Sequence, residues 1–407
     1  MKKYISTVIA TILTFSMTMP AFAGNGDAFS VGCVMKGVNG YTGKTDTTGE
    51  AIYANDIFEN YYDGILKTAP EQSDFSSNNL NSSALFLAGH GSSTDMSWPY
   101  YNSSKIVGIT TSRIPINNFT SIENQDFSNT IIGILAACHS GENGGVADYV
   151  NENGAKCTIG WLGVVNDVGM KDYCYLLLDY LDDGKNMLDA VSNTIADLAN
   201  GDGQSGLIWD NNGYSEEDRN VIKTFVYGNY NYGLEGFTRS SKINQIDFQF
   251  TSPDSNAKVY RDIENLKYNV GSKNYSEIAD YIQNNIDSQF DLKNFKVSEM
   301  EMVQGSGRYL ITFTYYIEDF KTDFAYNVFV INDEVVEISQ TGNEIYNLDI
   351  AFPDDTNTFI DILNDDSIST SVRKRFDTKD KKFYYDVFTT YTDDNGTESC
   401  TMETFEF

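Results

Sequence analysis

The feature that most constrains this chain is an apolar run without charge at residues 131–137. Its β-branched members are typical of a strand that is buried on both faces of a parallel sheet. The run ends abruptly at Cys138, and His139, Ser140 and several glycines follow. In open α/β sheets, ligands bind at the carboxyl ends of central strands. Cys138 is therefore a candidate nucleophile.

The first 23 residues have the pattern of a secretory signal peptide. Lys2 and Lys3 precede an apolar stretch at residues 8–15, and Ala21 and Ala23 have the small-x-small spacing of a cleavage site. A membrane anchor is the alternative interpretation, but the stretch is short for one, and no later stretch is apolar for long enough to span a bilayer. We expect cleavage after Ala23, a secreted or cell-surface protein, and no membrane span.

Composition limits the partners and cofactors. The formal net charge is -30 at pH 7, which would repel nucleic acid and anionic membranes. A basic substrate or bound cations fit this charge, whereas the alternative is that acidity only keeps a secreted protein soluble. Five cysteines are too few for a disulfide scaffold, and no CxxC or His-rich spacing indicates zinc. Residues 200–203 resemble part of a calcium loop, but a plain turn is the preferred interpretation, so calcium is unsupported.

Strands and helices alternate in the first half of the chain, which predicts βαβ units, a mostly parallel sheet and helices on its flanks. The predicted strands lie at 29–37, 84–88, 131–137 and 157–165, and the predicted helices at 51–68, 146–153, 170–181 and 187–198. Beyond about residue 240, alternating aromatic-rich runs predict a smaller α+β domain with antiparallel strands. The predicted organisation is a signal peptide at 1–23, an α/β domain at 24–240 and an accessory domain at 241–407.

Two of the predicted strands end in residues that can act together. His90 follows one strand and Cys138 the next, so their side chains could converge over one cleft. An imidazole can stabilise a thiolate and protonate a leaving amine, and the N–H groups of Gly91 and Cys138 could form an oxyanion hole. His139 is the poorer base because neighbouring side chains in extended backbone point to opposite sides. The alternative is a buried structural thiol and a turn histidine.

These residues resemble the caspase-like cysteine peptidases, which include caspases, gingipains, clostripain and CHAT domains. The resemblance lies in LFLAGHGS at 85–92 and IIGILAACHSG at 131–141, where the family carries its catalytic dyad. The segments at 154–167 and 175–194 are most similar to the gingipain and CHAT branch. The resemblance covers roughly residues 29–235, although Asn229 and Tyr230 stand where gingipain-type domains have Asp and Pro.

The resemblance implies a caspase-like fold and peptide-bond hydrolysis through an acyl-enzyme, with no cofactor required for the chemistry. Residue by residue, it implies catalysis by His90 and Cys138 and an oxyanion role for Gly91. The loop beyond the next strand often lines the primary pocket in this family, which makes Trp161 and Asp167 candidate substrate-binding residues. A carboxylate there would pair with Lys or Arg of a substrate. The alternatives are a helix N-cap for Asp167 and a core aromatic for Trp161.

We therefore expect a secreted cysteine endopeptidase that acts on proteins or peptides. One alternative is a caspase-like module that binds a peptide without cutting it, and another is a transpeptidase in which an amine resolves the acyl-enzyme. The accessory domain could be inhibitory, dock substrate or attach the protein to the cell surface. The sequence does not specify the oligomeric state or the cleavage preference.

Overall fold

The computed structural model describes most of the chain beyond residue 25. The described residues are 26–36, 44–101, 103–113, 118–213, 215–237, 258–261, 263, 266–346, 368–392 and 398–406. The predicted signal peptide and the predicted domain boundary at 240 lie outside them.

Seven α-helices occur within these residues. They are α1 Thr48–Phe58, α2 Ser77–Leu80, α3 Val146–Glu152, α4 Asp167–Asp182, α5 Met187–Asn200, α6 Glu216–Asn220 and α7 Ser276–Asn285.

The strands of the first half begin with β1 Asp27–Val31, β2 Val34–Lys36, β3 Lys44–Asp46, β4 Asp63–Lys67, β5 Ala84–Ala88, β6 His90–Gly91, β7 Asp95–Pro99, β8 Ile106–Thr110 and β9 Phe119–Ser121. They continue with β10 Ile132–Ala136, β11 Cys157–Trp161, β12 Thr224–Gly228, β13 Tyr232–Gly233 and β14 Gly236–Phe237. The second half contains β15 Lys258–Tyr260, β16 Phe295–Glu301, β17 Arg308–Ile317, β18 Phe320–Ile331, β19 Glu334–Thr341, β20 Ile368–Asp377, β21 Lys382–Thr392 and β22 Glu398–Glu406.

A six-stranded sheet with the order β12-β11-β10-β5-β1-β4 organises the first half. The five strands from β11 to β4 pair in parallel, and only β12 at the edge is antiparallel. Every residue of β5, β10 and β11 is buried, as expected for strands that are covered on both faces. The prediction of an α/β arrangement with parallel strands is confirmed at this level.

Successive residues of the central strands enter two different cores. Along β5, Leu85 and Leu87 belong to one apolar cluster, whereas Phe86 and Ala88 belong to the other. The first cluster is completed by α3 and β7, and the second by α1, α4 and α5. This alternation follows from the two-residue period of a strand and explains why the run at 84–88 has no polar member.

The predicted helix at 51–68 is wrong in its second half. Helix α1 ends at Phe58, and after a short turn residues Asp63–Lys67 form the edge strand β4 beside β1. Ile65 and Leu66, which fitted the helical spacing, lie on this strand and are only partly buried. An edge strand is only partly buried, so its sequence shows little alternation of apolar and polar residues. The apolar residues of β4 therefore fit the helical spacing of the preceding segment.

The second half contains antiparallel strands and a separate aromatic core. Strands β16–β19 pair consecutively, β20–β22 form a second antiparallel set, and β18 joins the two sets through a short parallel contact with β20. Helix α7 contributes Ile278 and Ile282 to the aromatic core around Phe313. Through β22 this sheet continues into β6–β9 of the first half.

Buried ion pairs join the two halves. Arg373 on β20 contacts Asp218 on α6 at 2.7 Å and Asp386 on β21 at 2.9 Å. Nearby, Lys321 on β18 contacts Asp210 at 2.7 Å. All five side chains are at most 2 % exposed. Removing one partner from such a set leaves a buried charge without compensation, which costs more than the pair itself contributes.

We expect Arg373→Met to lower the free energy of unfolding by about 3–5 kcal/mol, because Asp218 and Asp386 lose their shared cation. Denaturant unfolding measures this change. The matched control is Lys382→Met, which removes an ion pair with Glu406 at the surface and should leave the unfolding midpoint unchanged. Equal effects of the two substitutions would contradict the argument.

Candidate functional site

The candidate residues leave the sheet side by side because their strands are in register. Ala88 of β5 lies opposite Ala136 of β10, and the N–H of Gly89 donates to the carbonyl of Ala136 at 3.1 Å. His90 and Cys138 each follow two residues later, at the same edge of the sheet. The structure thus brings these two predicted residues to neighbouring positions.

Gly91 lies directly against the backbone of Cys138. A Cβ atom on Gly91 would come within 2.3 Å of the carbonyl oxygen of Cys138 and 3.2 Å of its nitrogen. A carbon atom cannot approach a carbonyl oxygen to 2.3 Å, so any side chain at Gly91 would displace the strand end that carries the thiol. The glycine after His90 is therefore required by the close approach of two backbones.

The end of β5 is fixed by hydrogen bonds to Ala88. Its carbonyl accepts from the indole Nε1–H of Trp98 at 2.7 Å and from the hydroxyl of Thr47 at 3.0 Å. Beyond it, β6 pairs with β7, so that His90 lies opposite Ser97. These contacts fix the backbone before His90 and at His90 itself. Trp98 and Ser97 belong to residues 94–129, whose polar sequence predicts an insertion above the sheet that forms part of a substrate cleft.

The turn after Cys138 is held by Ser140, which sequence reasoning did not assign a role. Its buried hydroxyl donates to the carbonyl of Leu135 at 2.6 Å and accepts from the N–H of Trp161 at 3.1 Å. His139 has a φ of 56°, a left-handed conformation that the turn imposes. The adjacent Cys-His-Ser sequence is the signal that could have indicated a tight, locked turn.

The ring of His139 points toward its own turn. Its Nδ1 lies 2.6 Å from Oε1 of Glu142, three residues further along. The backbone of His139 is left-handed and not extended, so the predicted reason for excluding it does not hold, and its contact with Glu142 is what argues against it as the base. His90 therefore remains the better candidate partner for Cys138.

Both candidate catalytic side chains are enclosed in this conformation. Cys138 is 4 % and His90 3 % exposed. The Sγ atom of Cys138 lies 3.4 Å from the N–H of Val165 and 3.7 Å from its carbonyl. The N–H contact favours a thiolate and the carbonyl contact a thiol, so the loop after β11 interacts with either form of the sulfur.

Trp161, predicted as a substrate-binding residue, lies in the core. It has no exposed surface, its Nε1–H donates to the carbonyl of Val221 at 3.1 Å, and its ring packs edge-on against Tyr173. This placement corrects the prediction of a pocket wall. A buried indole needs a hydrogen-bond partner, and the α6–β12 connection supplies it.

Asp167 lies at the carboxyl edge of the sheet, as the first residue of α4. The N-cap is Asn166 instead, whose side-chain oxygen accepts from the N–H groups of Val168 and Gly169 at 3.0 and 3.1 Å. The alternative interpretation of Asp167 as N-cap is thus wrong by one position. Burial raises the pKa of Asp167 to about 6, although the N–H of Val168 and the charge of Lys171 oppose this shift.

Glu50 is a second carboxylate in this region that sequence reasoning missed. It lies in the first turn of α1, is 4 % exposed, and its Oε2 has no hydrogen-bond partner among the described residues. Burial raises the pKa of Glu50 to about 7, with Asp167 adding to the shift and Lys171 opposing it. The N-termini of α1 and α4 thus concentrate acidic side chains at one edge of the sheet.

We expect Glu50→Gln to stabilise the protein above pH 7. A carboxyl group whose folded pKa lies above its unfolded value of about 4.3 favours folding when protonated, and this contribution is lost as the pH rises through 7. The two proteins should coincide at pH 4, the difference should grow as the pH rises toward 7, and at pH 8 the variant should exceed wild type by roughly 3–4 kcal/mol. Thermal unfolding across this range tests the prediction, and a difference independent of pH would contradict it.

Strand β22 contacts two of the residues around this site. Glu398 pairs with Gly91 in antiparallel orientation, and Cys400 forms a bridge with Asn166. The amide of Asn166 lies 3.8 Å from Sγ of Cys400, which is 1 % exposed. Burial raises the pKa of the Cys400 thiol, and the charges of Glu217, Asp167 and Cys138 contribute to the shift.

Comparisons with known proteins do not assign the chain to a family. No protein-family model matches the sequence, and no curated protein matches it as a relative. Within the described residues, no cluster of three or more His, Cys, Asp or Glu side chains is placed to hold a metal ion. None of the helices in that part of the chain combines the length and the apolar character needed to cross a membrane.

Proposed function

We propose that this protein is an exported cysteine endopeptidase of the caspase-like type that hydrolyses peptide bonds through Cys138 and His90. The observation that carries the proposal is the register of β5 and β10, which delivers both residues to one edge of a parallel sheet. The resemblance of residues 85–92 and 131–141 to the dyad strands of that family supports it. The predicted signal peptide, with Lys2 and Lys3 before its apolar stretch and a cleavage site after Ala23, supports export.

The chemistry assigns one role to each group. The thiolate of Cys138 attacks the scissile carbonyl, and protonated His90 donates its proton to the leaving amine, which yields an acyl-enzyme. Water then attacks the thioester, His90 accepts a proton from it, and the acid product leaves with Cys138 restored. The N–H groups of Gly91 and Cys138 are the proposed donors to the oxyanion. These steps require no metal or organic cofactor.

The test is cleavage of a mixed peptide library by the mature protein under reducing conditions, read by mass spectrometry. We expect cleavage to fall by at least about 10³-fold in Cys138→Ala and His90→Ala, because nucleophile and proton donor act as one unit. Ser103→Ala, at an exposed position outside the site, is the control. The absence of cleavage both by wild type and by a variant with the site uncovered would contradict the proposal. Formation of an amide product with an added amine would instead indicate transpeptidation.

We propose that Asp167 recognises a basic side chain of the substrate. Its position beyond β11 and the acidic surroundings from Glu50 favour a cation over an anion in this region. Asp167→Asn should lower cleavage after Lys or Arg by about tenfold to a hundredfold and leave cleavage after uncharged residues unchanged. The preference of wild type for basic residues should weaken below pH 6, where Asp167 is protonated, and the Asn variant should show no such step. An unchanged preference would remove Asp167 from the pocket.

A binding module without catalysis is the second candidate function. It is favoured by one observation, which is that the thiol and the imidazole are both almost completely enclosed. Such a protein would show a Cys138 thiol that reacts with alkylating reagents at the slow rate of an ordinary cysteine even when the site is open.

A further inference from the structure

We propose that β22 occupies the side of β6 at Gly91 to which an extended substrate would bind, and that it thereby keeps the candidate protease latent. The inference rests on the proposed function and names the regulation of the same site. It selects the inhibitory role among the three roles that the sequence left open for the second half of the chain.

The backbone of Gly91 faces β22. The N–H of Ser92 donates to the carbonyl of Asp95 at 2.9 Å, and β6 pairs with β7 with Gly91 opposite Met96. Hydrogen-bonding groups alternate between the two sides of an antiparallel strand, so the peptide groups of Gly91 are turned away from β7. Glu398 is the residue that pairs with Gly91 on that side.

This contact occupies the proposed oxyanion donor. An extended peptide that adds to the free side of β6 would use the same N–H and carbonyl of Gly91. Because Glu398 already pairs with Gly91 on that side, substrate and β22 compete for a single edge. The donor that should stabilise a developing oxyanion is therefore engaged by a strand of the same chain.

A second contact closes the side of the site near α4. Cys400, two residues after Glu398, lies against the N-cap Asn166, and β22 packs on α4. Asp167 follows Asn166 directly, and its charge together with that of Cys138 acts on the Cys400 thiol. The strand thus pairs with the proposed oxyanion donor Gly91 and contacts Asn166, the residue before the proposed substrate-binding carboxylate.

The cover can be released locally. Nine residue pairs hold β22 to β21, whereas one pair, Glu398 with Gly91, holds it to β6. Moving the whole second half away would expose the buried charges of Arg373 and Asp218, which is costly. If the start of β22 moves together with the end of β21 that pairs with it, the contacts at Gly91 and Asn166 and the hydrogen bond from Thr390 to Glu217 are lost, whereas the buried charges stay paired.

The test compares Glu398→Pro with Glu398→Ala in the full chain. Backbone N–H groups along β22 point alternately to its two neighbouring strands, and that of Glu398 points to β6. Proline at this position therefore removes the donor to β6 without removing a hydrogen bond to β21. Alanine keeps the donor and is the matched control. Two quantities are measured. The first is the rate at which iodoacetamide alkylates Cys138, followed by peptide mass spectrometry, and the second is cleavage of the peptide library.

We expect Glu398→Pro to raise the alkylation rate of Cys138 by about fivefold to a hundredfold, which is the effect of losing one buried hydrogen bond. Cleavage should rise with it, and Glu398→Ala should behave as wild type. Alkylation of Cys157 and Cys174, which are buried in the core of the first half, should stay unchanged and thereby exclude unfolding.

The outcomes separate the two proposals. Faster alkylation of Cys138 without cleavage supports the cover and contradicts the protease. Full cleavage by wild type, unchanged in Glu398→Pro, contradicts the cover and supports the protease. Equal alkylation rates in all forms overturn the cover. If the proline variant does not fold, Cys400→Asp brings a carboxylate toward Asp167 and Glu217 and should displace β22, with Cys400→Ser as its matched control.

Discussion

The parallel pairing of β5 with β10 is the interaction on which the candidate site depends. Backbone hydrogen bonds fix the register of the two strands, so that their last residues, Ala88 and Ala136, lie side by side. Any slip of this register would separate His90 from Cys138 and turn their strands' apolar side chains to the wrong face. The full burial of both strands on two faces makes such a slip costly, and the stability of the sheet therefore positions the site.

Ionisable side chains are buried at the same edge of the sheet. Glu50 and Asp167 are held in surroundings that favour their neutral forms, and the thiol of Cys138 is enclosed by Val165 and the turn at Ser140. Interactions between charges are stronger in such a site than in water. A basic substrate group would relieve the unfavourable ionisation of the carboxylates, which is the physical argument behind the proposed preference for basic residues.

The second half of the chain is joined to the first by charges that have no access to water. Arg373 lies between Asp218 and Asp386, and Lys321 contacts Asp210. Pairs of this kind add little net stability but penalise separation strongly, because each partner would be left charged in an apolar environment. They therefore hold the sheet in place while its last strand contacts the candidate site through few residues.

The sequence by itself determined the strands at 84–88 and 131–137, the helix that follows the second of them, and the placement of His90 and Cys138 at strand ends. Local patterns carry that information because burial on two faces excludes polar residues from a strand. The edge strand β4 was misjudged, since a half-covered strand lacks a clear period. Only the tertiary structure decided that Trp161 belongs to the core, that Asn166 caps α4 instead of Asp167, and that Glu398 pairs with Gly91 and Cys400 with Asn166. Those contacts join residues whose separation along the chain ranges from two positions, for Asn166 and Val168, to more than three hundred, for Gly91 and Glu398. They depend on how complete elements pack, which no local pattern records.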